Sequence, residues 1–147
     1  MLLQPDLISF TANPAQTVLS TSYKVIELFG NNLHTETVPA VSTAGFGPAY
    51  WVAGTNGPSK YVFKTAIYNA TESVPFNVTF EGIAAGTEGK LTVLSAPEGL
   101  SWSYLDGADG NGTAVDIVSK KEVVLSAGEG GVFGFELANY EVAVLTT

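Results

Sequence analysis

Fourteen carboxylates, a single histidine and no cysteine set the limits on the chemistry open to this chain of 147 residues. Two carboxylates about 5 to 9.5 Å apart can cleave a glycosidic bond between them. Most of those present, however, alternate with apolar residues, as Glu81, Asp116, Glu136 and Glu141 do. That pattern reads as the solvated face of strands rather than a convergent pair. His34 would have to serve any Ser-His-Asp triad, yet no nucleophile-elbow sequence accompanies it, and it reads as a surface residue just beyond a helix. The stretch DGADGNG, Asp106 to Gly112, has the flavour of a calcium loop. It lacks the acidic residue that closes the calcium-binding pattern, so a hairpin or surface loop is the better reading. The absence of cysteine removes disulfides and thiolate zinc sites, and no glycine-rich phosphate loop with its lysine occurs. The residues therefore predict no catalytic centre, no metal site and no cofactor.

Two other groups of residues could act at a surface. Trp51, next to Tyr50, and the pair Trp102/Tyr104 could stack on sugar rings, since residues i and i+2 share one face of a strand. The competing reading places these aromatics in the core or at a domain interface. Three N-x-S/T triplets, at Asn69, Asn77 and Asn111, could accept N-linked glycans, and three in so short a chain favour a secretory-pathway protein.

Composition narrows the partners. Hydrophobic residues make up 46% and charged residues 14%, with 16 glycines and 7 prolines, which suits a globular, turn-rich β protein. The net charge of -8 comes with six lysines and no arginine. No basic patch can be assembled for nucleic acid, and an anionic membrane surface is disfavoured for the same reason. A neutral partner such as a plant cell-wall polysaccharide suits this charge better. No apolar run approaches the roughly 20 residues of a membrane span. Met1-Leu2-Leu3 is too short for a signal-peptide core, so a secretory reading implies a segment upstream.

The elements that must position these residues fall into two kinds. A helix is predicted over 22–29, with Ser20, Thr21 and Ser22 as N-cap hydroxyls and Gly30-Asn31-Asn32 offering left-handed conformations at its end. Val25, Ile26, Leu28 and Phe29 spread over a wide apolar arc that needs a large apolar surface beneath it. Left uncovered, that arc would promote self-association. From Tyr61 onward the period is two. In VPFNVTFE, Phe76, Val78 and Phe80 share one face while Asn77, Thr79 and Glu81 share the other. LTVLS, AVDIVS, EVVLS, GVFGFEL and YEVAVLT continue as strands, with Ser119-Lys120-Lys121 separating the second from the third. Short turns between them argue for an antiparallel sandwich. Residues 36–60 lack strong periodicity and read as linker.

PDLISFTANPAQTVLSTSYKVIELFGNNLHTETVP, AGFGPAYWVAG, YVFKTAIYNATESVPFNVTFEGIAAGTEGKLTVLSAP and GVFGFELANYEVAVL together resemble the C-terminal part of fungal α-L-arabinofuranosidases of glycoside hydrolase family 51. The likeness runs from about Pro5 to Leu145 and weakens across Glu98 to Gly112. It implies a mainly β fold, a jelly-roll-like antiparallel β-sandwich preceded by one short helix left from a (β/α)8 barrel. Residues 1–35 would be the end of the catalytic barrel, 36–51 a linker, and 52–147 the C-terminal sandwich. In that family a segment from before the barrel also completes the sandwich. The family's two catalytic glutamates follow an asparagine and a serine, and none of the ten glutamates here follows either residue. The resemblance therefore implies an inert accessory region of a secreted enzyme that releases terminal arabinose from arabinoxylan or arabinan. Its partner would be the missing catalytic barrel. A stand-alone carbohydrate-binding module and a non-enzymatic secreted interaction protein are the alternatives.

Overall fold

The computed structural model describes residues 8–9, 13–100, 103–106 and 112–147. Its α-helix, α1 (Thr21–Gly30), is one residue longer at each end than the sequence predicts. Ser20 Oγ accepts from the Tyr23 N–H at 3.0 Å and so satisfies one of the free donors of the first turn. The other end departs from expectation. Asn31 is right-handed, with φ -77°, and side chains rather than a left-handed turn close the helix. Asn32 Nδ2 donates to the Leu28 carbonyl at 2.8 Å, and Lys64 Nζ donates to the Phe29 carbonyl at 3.0 Å.

The strands are β1 (Ile8–Ser9), β2 (Val18–Leu19), β3 (Glu36–Thr37), β4 (Ala49–Thr55), β5 (Tyr61–Ile67), β6 (Val74–Thr79), β7 (Glu88–Ser95), β8 (Tyr104–Leu105), β9 (Ala114–Val115), β10 (Ser119–Ser126), β11 (Val132–Leu137) and β12 (Val142–Thr146). Six of them form one sheet in the order β10-β7-β12-β5-β4-β3, every pair antiparallel. β6 and β11 pair antiparallel as a second layer, while β1/β2 and β8/β9 are short separate ribbons.

The main core lies between the six-stranded sheet and the β6/β11 layer. Phe63 and Ile67 of β5, Leu91 and Val93 of β7, and Ala143 and Leu145 of β12 meet Phe133 and Leu137 of β11 there. Phe133, Ala143 and Leu145 are fully buried. Each large apolar side chain buried in this way contributes about 1.5–3 kcal/mol. The fit is tight at Gly89, where an added Cβ would lie 2.7 Å from the Phe133 ring and 3.2 Å from Leu145 Cδ1. The alternation read in β6 holds, with Val74, Phe76 and Val78 turned inward and Asn77 and Thr79 exposed.

The opposite face of the sheet is covered by α1. Leu28 packs with Val62, Leu94 and Val144 in a second cluster, flanked by Phe29, Val118 and Val142. This explains why β5 shows no alternation: it is buried on both faces for most of its length, by β6/β11 on one side and α1 on the other. The apolar arc of the helix is thus partly covered rather than left open, although Ile26 is still 55% exposed.

Two further readings change. Residues 36–51, expected as a linker, contribute β3 and the first residues of β4 to the sandwich sheet itself. Ser119-Lys120-Lys121, expected between strands, lies within β10, paired opposite Ser95, Leu94 and Val93. The break falls earlier, where Asp116 Oδ1 accepts from the Val118 N–H at 2.9 Å and turns the chain. Lysines suit β10 because it is an edge strand, where charge opposes pairing with another sheet.

Candidate functional site

Glu81 and Glu136 are exposed, as expected of an outer face. Glu141 Oε2 accepts from the Ala138 N–H at 2.8 Å and shapes the turn before β12. Asp116 pairs with Lys24 of α1 at 2.7 Å. Burial raises its pKa, but the bonds from Lys24 and the Val118 N–H outweigh that and hold it below the ordinary value. Glu122 on β10 bonds Lys90 and Lys120, both at 2.8 Å. The bonds from Lys120 and then Lys90 hold its pKa down to about 2. A carboxylate fixed in its ionised form is a poor general acid, so neither group is suited to protonate a leaving group.

These charges line a groove of about 340 Å³ between α1 and the sheet, with Leu28, Thr92 and Val144 at its floor. Its lysines are paired with carboxylates, so it binds helix to sheet rather than offering free cations. Lys64 lies deeper on the same face, its pKa lowered by burial. Its ammonium sits 5.5 Å from the centre of the Phe29 ring. Among the described residues, no group of three His, Asp or Glu side chains could hold a metal ion.

His34 is not a free surface residue. It is half-buried, and its imidazole lies over Gly54 of β4, where any Cβ would collide with the ring. The Asp106–Gly112 stretch is flanked by the antiparallel ribbon β8/β9, with the Asp106 N–H donating to the Thr113 carbonyl at 3.1 Å. Its residues 107–111, Asn111 among them, lie outside the described residues.

Of the aromatic residues, Trp51 faces the core side of β4 and stacks on Phe63, with centroids 6.2 Å apart and planes 26° apart, and it remains 37% exposed. Tyr104 is 54% exposed on the separate β8/β9 ribbon, and Trp102 lies outside the described residues. Trp51 and Tyr104 thus belong to different sheets. The structure assembles a different group, not read from the sequence. Phe46 and Tyr50 meet edge-on at 5.3 Å, and Tyr68 meets Tyr140 at 6.2 Å. The pairing of Ala49 with Ile67, and the Tyr68 N–H donating to the Pro48 carbonyl at 3.0 Å, bring these separate stretches together. No local motif encodes that register. Asn69 and Asn77 are both exposed.

The whole arrangement, six strands backed by a helix and faced by a two-stranded layer, recurs in solved enzymes. It superposes on an arabinose-bound α-L-arabinofuranosidase of glycoside hydrolase family 51 with a TM-score of 0.70 at 23% identity, covering 97% of this chain and 21% of that one. A Thermotoga petrophila family 51 α-L-arabinofuranosidase gives a TM-score of 0.64 at 12% identity, over 89% of this chain and 29% of that one. At such identities the likeness is one of fold. Sequence goes further: the chain is 37% identical over 142 residues to a probable α-L-arabinofuranosidase A of Aspergillus terreus. It is 36% identical over 141 residues to the α-L-arabinofuranosidase A of Aspergillus niger. This chain is a homologue of one region of the fungal α-L-arabinofuranosidases. It spans about one fifth of the length of these relatives, 20% in both cases, while they cover 97% and 96% of it. No family model matches the chain. The extent of this arabinofuranosidase region is consistent with a C-terminal accessory domain, and its mainly β architecture agrees with that assignment.

Proposed function

We propose that this chain is the accessory β-sandwich region of a secreted α-L-arabinofuranosidase, a glycoprotein of hemicellulose breakdown. The whole enzyme would release terminal non-reducing α-L-arabinofuranosyl residues from arabinoxylan or arabinan by double displacement through a covalent arabinosyl-enzyme. The 37% identity across 97% of this chain carries the reading. The chain itself would be catalytically inert, since its paired carboxylates are held ionised by lysines and none of its glutamates has the neighbour expected of the family's catalytic pair. Its role would be structural, as a partner of the catalytic barrel. Two features support such a partner. Ile26 of α1 is 55% exposed beside the covered Leu28, and the two-stranded β6/β11 layer leaves core-facing Trp51 on β4 37% exposed. A segment from elsewhere in the parent chain would cover both.

The test is the size of the native protein in culture fluid after N-glycans are removed, with an antibody to this region. A band several times larger than 15.3 kDa that carries arabinofuranosidase activity is expected. A band near 15 kDa would instead mean a small protein of its own, and a binding role for it.

A further inference from the structure

An open cleft of about 590 Å³ lies between the loop before β4 and the turn joining β5 to β6. Its apolar wall is made by Phe46, Tyr50 and Tyr68, and Glu72 and Ser73 stand among its polar lining. Phe46 is 94% exposed and Tyr68 62% exposed. Rings of this size are normally covered, because each removes a large apolar area from water when buried. Asn69, the first residue of the sequon Asn69-Ala70-Thr71, lines the same cleft.

We infer that Asn69 carries an N-linked glycan whose first sugars lie in this cleft against Phe46, Tyr50 and Tyr68. The backbone there is held firmly enough to aim the side chain. Asn69 adopts φ +62°, a left-handed conformation that asparagine tolerates, and the next residue donates its N–H to Asn139 Oδ1 at 3.1 Å. Asn69 and Thr71 are both exposed. The chemistry of the wall fits an N-acetylhexosamine. The C–H face of a pyranose and its acetyl methyl cover aromatic rings, while the hydroxyls reach Ser73, Glu72 and water. Glu72 is the only charged residue of the lining, and no lysine is present to hold an anion. A sugar tethered on the lining itself is also held there at high effective concentration, which no free saccharide matches.

This inference rests on the secretory reading, since the modification belongs to that pathway. The Asn69 amide nitrogen attacks C1 of a lipid-diphosphate-linked oligosaccharide. A C–N bond forms, the C1–O bond breaks, the amide loses a proton and the lipid diphosphate leaves. Thr71 supplies the hydroxyl that the sequon requires.

The second described sequon provides an internal control. Asn77 stands on the outward face of β6, opposite Gly134 and beside exposed Pro75 and Thr79, with no aromatic ring on that face. A glycan at Asn77 would stand free in solvent.

The experiment uses the full protein secreted by a glycosylating fungal host. Cleavage after lysine and glutamate separates residues 65–72 from 73–81, so each site is read on its own peptide by mass spectrometry. The expected result is occupancy at Asn69. Under native conditions, release of that glycan by an amidase should be at least about tenfold slower than release at Asn77, with the difference lost on denaturation. Phe46→Ala should speed the release at Asn69 alone. Occupancy at Asn77 with none at Asn69, or equal native release rates, would overturn the inference and leave the secretory reading intact. No glycan at either site would likewise overturn the inference, whereas failure of the chain to enter the secretory pathway at all would overturn the secretory reading. Release unaffected by Phe46→Ala, with arabinoxylan binding to the deglycosylated cleft, would make the cleft a polysaccharide site instead.

Discussion

Lys64 Nζ donates to the Phe29 carbonyl at 3.0 Å and lies 5.5 Å from the centre of the ring of the same residue. One ammonium thus serves both the backbone and the side chain of the last full turn of α1. The carbonyls at a helix C-terminus carry partial negative charge, and the face of an aromatic ring does too, so a cation is favoured at both. The bond joins the middle of β5 to the helix and ties the two sides of the second core cluster together.

Lys64→Met keeps most of the aliphatic stem but removes the donor. A hydrogen bond to a charged group is worth about 1.5–3 kcal/mol, part of which is offset by no longer burying an ammonium. We expect a net loss of about 1 kcal/mol in urea unfolding, with frayed amide exchange at the end of α1. A Met variant as stable as the wild type, with unchanged exchange, would show that apolar packing alone holds the helix.

The helix belongs energetically to the sheet as well as to whatever flanks it. Leu28 is 7% exposed among Val62, Leu94 and Val144. Leu28→Ala should cost about 3 kcal/mol, in the range for emptying a buried leucine site. A chain begun at Glu36 should melt lower and self-associate through the bared outer face of β5, β7 and β12, as sedimentation would reveal. Equal melting temperatures for the two chains would place α1 outside the cooperative unit.

Phe133 seats its ring in the space left by the missing side chain of Gly89, at a distance where even a methyl group would collide. Gly89→Ala should destabilise by about 1–3 kcal/mol through overpacking. Gly89→Ala combined with Phe133→Leu should recover part of that loss. Additive losses in the double variant would show that the clash is relieved elsewhere.

Glu122 titrates at about 2 in the folded chain against an ordinary value of 4.5. A group depressed by folding stabilises fully above its unfolded pKa, and the contribution disappears as pH falls through the folded value. The stability gap between wild type and Glu122→Gln should therefore be constant above about pH 5 and close towards pH 2. High salt should shrink it throughout, because the pair is at the surface. A gap that persists at low pH would mean that Lys90 and Lys120 do not act on the ionised form.

Several elements were legible in the sequence because they are written in local periodicity. The hydroxyl cap and apolar arc announced α1, strict alternation announced β6 and β11, and the absence of a usable glutamate pair is a matter of composition and neighbours alone. The order of motifs sufficed to indicate the fungal arabinofuranosidase resemblance. What tertiary structure decided were the properties that depend on pairing between distant segments. β5 lost its alternation because α1 and β11 bury opposite faces of it. Lys120 and Lys121 became strand because β7 offered a long partner for them. Trp51 and Tyr104 were set apart on different sheets, whereas Phe46, Tyr50, Tyr68 and Asn69 were gathered around one cleft by the β4–β5 register. A register is a sum of contacts across the sheet, so no window of neighbouring residues contains it.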